Sequence, residues 1–153
     1  MSLEIQPGVR ELGNNITQEW IVDGPILIFT GQEATRIAVD TWMNAFKNVL
    51  EVWPKDKFLH VINDFSSPRS SLTPYAKAKA DEIIKQYPAI FGYTGIVIQE
   101  NFAGRLIRIW YGIESSFLKG QTRVFYKRAD ALEWIKSMII QEKTKKDGVP
   151  TIS

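Results

Sequence analysis

The chain contains no cysteine and one histidine, His60, among its 153 residues. Disulfides, thiolate metal sites and cysteine nucleophiles are excluded, as is any mechanism or zinc site that needs two imidazoles. No apolar run approaches the roughly 20 residues that span a bilayer, and the first residues lack the basic-then-apolar pattern of a secretory signal. A cytoplasmic protein with no transmembrane segment is the expectation. Glycine-rich phosphate loops are missing too: neither GxxxxGK followed by Ser or Thr nor GxGxxG occurs, which argues against a nucleotide P-loop. Neither sign of charge dominates, with 19 basic and 17 acidic residues, a balance too even to point to nucleic acid. Internal repeats and low-complexity segments are absent, and nothing calls for a metal or a cofactor.

What is present reads as one α/β domain. Hydrophobic residues make up 44% and charged residues 24% of the chain, an ordinary balance for a globular protein of a length that closes a single core. Residues 1–15 carry Pro7, Gly8, Gly13 and two asparagines without periodicity, and read as an irregular lead-in. Strands are expected at 16–22 and 26–30, joined by Asp23-Gly24, whose residue types suit the positive φ of a tight hairpin. From Glu33 to Trp53, Ala38, Trp42, Ala45, Val49 and Val52 recur at helical spacing. Phe58-Leu59-His60-Val61-Ile62 suits a central strand buried on both faces. A second helix begins at Thr73 as N-cap with Pro74 in its first turn, and buries Ala76, Ala80, Ile83 and Tyr87.

The last third repeats the pattern most cleanly: an apolar strand at 95–99, a helix over 102–118 and a strand at 122–126. A final helix follows, burying Leu132, Ile135, Met138 and Ile139. The predicted order is ββαβαβαβα, a hairpin followed by βα units that build a mixed, mostly parallel sheet with helices packed on it. The domain is placed at 16–142, with 143–153 as a polar tail that frays.

Candidate functional residues are few. His60 lies between Leu59 and Val61 and reads as a core histidine bonded to a neighbour. Asp64 is four residues further along the same strand, roughly 13 Å away at the strand rise, so the two cannot form an acid–base pair within it. Asp64 stands where ligands of open α/β sheets bind, but reads first as a loop-starting aspartate that bonds the next backbone amides. The loop after it holds Ser66, Ser67, Arg69, Ser70, Ser71 and Thr73. Three readings apply: plain loop composition with one cap, a modification switch or partner contact beside Arg69, or anion binding at the helix N-terminus. Asn101 reads as the N-cap of the third helix, a polar group at the cleft. Arg105 and Arg108 share a face of that helix as solvated or anion-binding side chains. Ile107, Trp110 and Tyr111, with Trp134 on the last helix, widen the apolar surface beyond one stripe. That excess points either to deep coverage by neighbouring elements or to an interface or apolar-ligand face. The C-terminal lysines are diluted by Glu133, Glu142 and Asp147 and read as a solvated face.

The order of elements, together with Phe29-Thr30-Gly31, Asn63-Asp64-Phe65 and the closing RVFYKRADALEWI, resembles the STAS superfamily, nearest its SpoIIAA-like (anti-sigma-factor-antagonist-like) branch, over roughly residues 16–140. The resemblance implies a small non-enzymatic, regulatory module that acts by binding another protein or by self-association, as in a dimer. In true antagonists the regulatory serine lies in a DSSG-type segment. Here FSSPRSSLTPY takes its place, with serines but no DSSG and with an added proline and arginine, so the resemblance does not single out Ser70 or Ser71 for that role. The branch is similar in fold to lipid-carrying CRAL-TRIO domains, which implies the alternative of a binder or carrier of a small apolar ligand.

Overall fold

In the computed structural model, residues 7–21, 25–70, 73–87, 90–101, 104 and 121–146 are described. The chain forms β1 (Gly8–Gly13), β2 (Ile16–Ile21), β3 (Ile26–Gly31), α1 (Arg36–Val52), β4 (Leu59–Phe65), α2 (Pro74–Gln86), β5 (Phe91–Ile98), β6 (Thr122–Phe125) and α3 (Arg128–Lys146). The six strands lie in sequence order, β1-β2-β3-β4-β5-β6. The β1–β2 and β2–β3 pairs are antiparallel, and the three pairs from β3 to β6 are parallel. This is the α/β class with a mixed, mostly parallel sheet that the periodicity predicts.

The first strand corrects the expected irregular lead-in: residues 8–13 pair with β2 rather than running loose. Its side chains are exposed except for half-buried Leu12, so no apolar alternation betrays it, and the backbone ladder to β2 holds it instead. Asn14 and Asn15 both have positive φ, 53° and 62°, the conformation that a tight hairpin needs and that asparagine tolerates. The Asp23-Gly24 turn lies outside the described residues, although the strands on either side of it pair antiparallel from Ile21 and Ile26.

Side chains of β3 and β4 alternate between two buried faces, which is why both strands read as continuous apolar runs. On one face Leu27, Phe29, Leu59, Val61 and Phe65 meet Trp42, Phe46 and Leu50 of α1 and Ile83 of α2. On the other, Ile26, Ile28, Ile62 and Val97 meet Ala131 and Ile135 of α3. The stripe expected on α1 holds at Ala38, Trp42 and Val49, but Val52 is exposed. The buried face turns instead through Val39, Met43, Phe46 and Leu50. Trp53, at the helix C-cap, folds inward to stack on Trp20 at 5.8 Å. The final helix buries Ala131 and Ile135 fully and packs Leu132, Trp134 and Ile139 more loosely. It also runs on to Lys146, so residues 143–146, expected in a fraying tail, are helical. Lys143 and Lys145 suit the negative end of the helix dipole, and the Thr144 hydroxyl donates back to the Ile140 carbonyl at 3.0 Å. The helix predicted over 102–118 lies outside the described residues apart from Gly104, which is helical.

Candidate functional site

The carboxyl ends of β3 and β4 carry the loop predicted to be functional. Asp64 is buried at the end of β4, and its Oδ1 accepts from both the Ser66 amide at 3.0 Å and the Ser66 hydroxyl at 2.6 Å. The carboxylate thus shapes the first turn of the loop, as the backbone-bonding alternative expects. Its neighbour Asn63 points to the opposite face, where Oδ1 accepts from the Trp42 indole at 3.2 Å.

The loop then closes on itself and on β3. The Ser70 amide donates to the Ser67 carbonyl at 2.9 Å, a four-residue turn with Pro68 where proline favours turn geometry. The Ser67 hydroxyl donates to the Gln32 carbonyl at 3.3 Å, and the Gln32 amide donates to the Asn15 carbonyl at 3.1 Å. These contacts join the β1–β2 turn, the end of β3 and the β4 loop around a shallow cleft of about 270 Å³ lined by Asn15, Gln32, Glu33, Ser67, Pro68 and Arg69. Arg69 is 83% exposed and reaches Glu33 at 3.8 Å. Ser70 is buried, with its hydroxyl unpartnered among the described residues. Thr73 caps α2 by accepting from the Ala76 amide at 3.1 Å.

Beside the cleft, both α1 and α2 begin. Thr35 caps α1 by accepting from the Ala38 amide at 3.2 Å. Tyr75 donates its hydroxyl to Asp40 at 2.6 Å, with the Arg36 guanidinium 4.8 Å and the Lys79 ammonium 5.6 Å from its ring. The hydrogen bond to Asp40, above all, pushes the Tyr75 phenol above its ordinary range.

Of the other predicted residues, Asn101 follows the carboxyl end of β5 and accepts the Gly104 amide at 2.7 Å, in the manner of an N-cap. Trp134 packs edge-on against Tyr93 and tilted against Phe125, each at 5.6 Å, with Arg123 above its ring. Ser71, Arg105, Ile107, Arg108, Trp110 and Tyr111 lie outside the described residues. Sequence reasoning missed Asn15, Gln32 and Glu33 as lining residues. The signal available was their position: Gln32 and Glu33 directly follow the Gly31 that ends β3.

His60 is remote from this edge. It lies near the amino end of β4, where its Nδ1 accepts the Tyr93 amide at 2.9 Å and its ring stacks on that of Tyr93. Burial lowers its pKa, and the charge of Glu142 acts the other way. Tyr93 donates its hydroxyl to Glu142 at 2.8 Å. Burial first, then that hydrogen bond and the Glu142 charge, push the Tyr93 phenol up to about 12. Among the described residues no three His, Asp or Glu side chains converge as a metal would require, and no helix is long and apolar enough to cross a membrane.

No protein-family model matches the chain, and no curated protein does. Among solved structures it is similar to an uncharacterised protein of the DUF3478 family with a SpoIIAA-like fold, from Shewanella loihica PV-4. The TM-score is 0.56 at 18% identity, over 88% of this chain and 98% of that one. At that identity the likeness is one of fold, and it coincides with the resemblance carried by the element order. The chain has a SpoIIAA-like α/β fold.

Proposed function

We propose that the chain is a non-enzymatic, regulatory protein-interaction module whose contact surface is the carboxyl-edge loop from Ser66 to Thr73 with the adjoining cleft. The observation that carries this reading is the state of Arg69. Its guanidinium stands 83% exposed on a turn braced to β3, with Glu33 at 3.8 Å as its ion-pair partner. An exposed pair of that length contributes little to stability, so the charge is free to engage an acidic group on another protein. A braced loop presents it without a large ordering cost. The non-enzymatic part is supported by how the acid–base candidates are used: the Asp64 carboxylate shapes the turn at Ser66, and the His60 nitrogen holds the Tyr93 amide.

The test is affinity purification of the whole chain from its native host, comparing wild type with Arg69→Glu. A protein retained by the wild type and lost from the variant is expected. Recovery of the same proteins with both, or of none, would contradict the reading.

A second reading, a carrier of a small apolar molecule, has its own observation. A groove of about 400 Å³ runs along the outer face of α3, lined by Ala129, Leu132, Glu133, Lys136, Ser137 and Ile140, with Ile140 64% exposed. Native mass spectrometry of gently purified protein would show an apolar adduct lost on Ile140→Glu if that groove carries a ligand. An unliganded mass in every preparation would reject this reading.

A further inference from the structure

The only histidine of the chain occupies an unusual place in the sheet. Between Leu59 and Val61, β4 advances two residues, while its partner β5 advances three, from Phe91 to Thr94. One extra residue of β5 is therefore bulged opposite His60. A bulge leaves a ladder group without its strand partner, and here the imidazole takes over: Nδ1 accepts the Tyr93 main-chain N–H at 2.9 Å. The fit is close, because a Cβ at Gly92 would stand 2.5 Å from Nδ1 and Cε1 of His60. The bulge and the imidazole are thus built for each other.

Accepting at Nδ1 requires the neutral ring with its proton on Nε2. On protonation Nδ1 becomes a donor, and two N–H groups then face each other across the bulge. The same strand residue ties the sheet to α3, since the Tyr93 hydroxyl donates to Glu142 at 2.8 Å and its ring packs on Trp134. We propose that His60 is a proton-operated latch: neutral, it holds the β5 bulge closed, and protonated, it releases the Tyr93 amide and loosens the Tyr93–Glu142 tie to α3.

The facing groups decide the direction. From β5 the titratable neighbour is Tyr93, neutral at any pH where His60 changes charge. From α3 it is Glu142, whose charge favours the protonated ring. From β3 the register neighbour is the uncharged Ile26. Burial, which favours the neutral ring, outweighs Glu142, so the latch stays closed through neutral pH and opens on acidification below the ordinary histidine range.

Because the chain has a single histidine, its imidazole Cε1–H resonance is an unambiguous NMR probe. A titration of the whole chain is expected to give a midpoint below 6.5. The Tyr93 amide shift should move with the same midpoint, and its exchange protection factor should fall by about tenfold, the loss of one hydrogen bond. In His60→Gln the side-chain oxygen accepts the same amide without titrating, and the acid transition at Tyr93 is expected to vanish. A Tyr93 amide indifferent to the His60 titration, or a transition that persists in His60→Gln, would overturn the proposal. The wild-type titration decides by itself if the variant folds poorly.

Discussion

The Trp42 indole donates to Asn63 Oδ1 at 3.2 Å inside the core between α1 and the sheet, with both residues buried. A buried acceptor stripped of its donor carries its full desolvation penalty, whereas replacing both partners by apolar groups comes close to neutral. Trp42→Phe is therefore expected to lower unfolding free energy by about 1–3 kcal/mol, and adding Asn63→Leu should recover part of that loss in denaturant titrations. Equal losses in the single and double variants would show that the contact is not what the indole supplies. Tyr93 gives a pH prediction. Its phenol is raised from 10.0 to about 12 in the folded chain, so the folded state holds that proton more tightly than the unfolded one. The associated stability is complete below pH 10 and is lost as pH rises toward 12. Wild-type stability should fall more steeply across that window than that of Tyr93→Phe. Parallel slopes would contradict the Tyr93–Glu142 bond.

At the scale of elements, α3 lies on β5 because Gly95 lets it approach. A Cβ at Gly95 would meet the Ala131 Cβ at 3.1 Å, with Ile62 and Phe125 each at 3.7 Å. Gly95→Val is expected to cost about 1–3 kcal/mol by overpacking, and Ala131→Gly in the same chain should relieve part of it. An unchanged melting curve for Gly95→Val would mean that α3 does not seat there. Which elements were legible in the sequence follows the same physics. Buried faces announce themselves: β3, β4 from Leu59 onward and the inward residues of α2 stand where periodicity puts them, whereas Phe58, expected in the buried run, precedes β4 and is exposed. The strand β1 does not, because its pairing is carried by main-chain groups and its side chains, half-buried Leu12 apart, face solvent. The far end of α3 was also hidden, since lysine-rich sequence reads alike in a solvated helix and in a tail. At the site, Asp64 and Thr73 could be read locally because their partners lie two and three residues away. Asn15, Gln32 and Glu33 could not, because only the sheet register brings them to Arg69. The bulge opposite His60 likewise exists only as a mismatch between two strands.

At the scale of the whole molecule, the sheet divides the labour. Its carboxyl edge carries the braced Ser66–Ser70 turn with the exposed Arg69, while the amino half of β4 and β5 carries the His60–Tyr93–Glu142 network. The SpoIIAA-like fold supports this arrangement, and the function proposed for it rests on the loop. Site-specific photo-cross-linking in the native host tests that claim most directly, with the probe at Ser67 in the cleft and, as a control, at exposed Lys145 on α3. A discrete protein adduct from position 67, absent from position 145 and lost when Arg69→Glu is added, is the expected result. No adduct from position 67, or the same adduct from both positions whatever stands at 69, would contradict the claim that the carboxyl-edge loop is the contact surface.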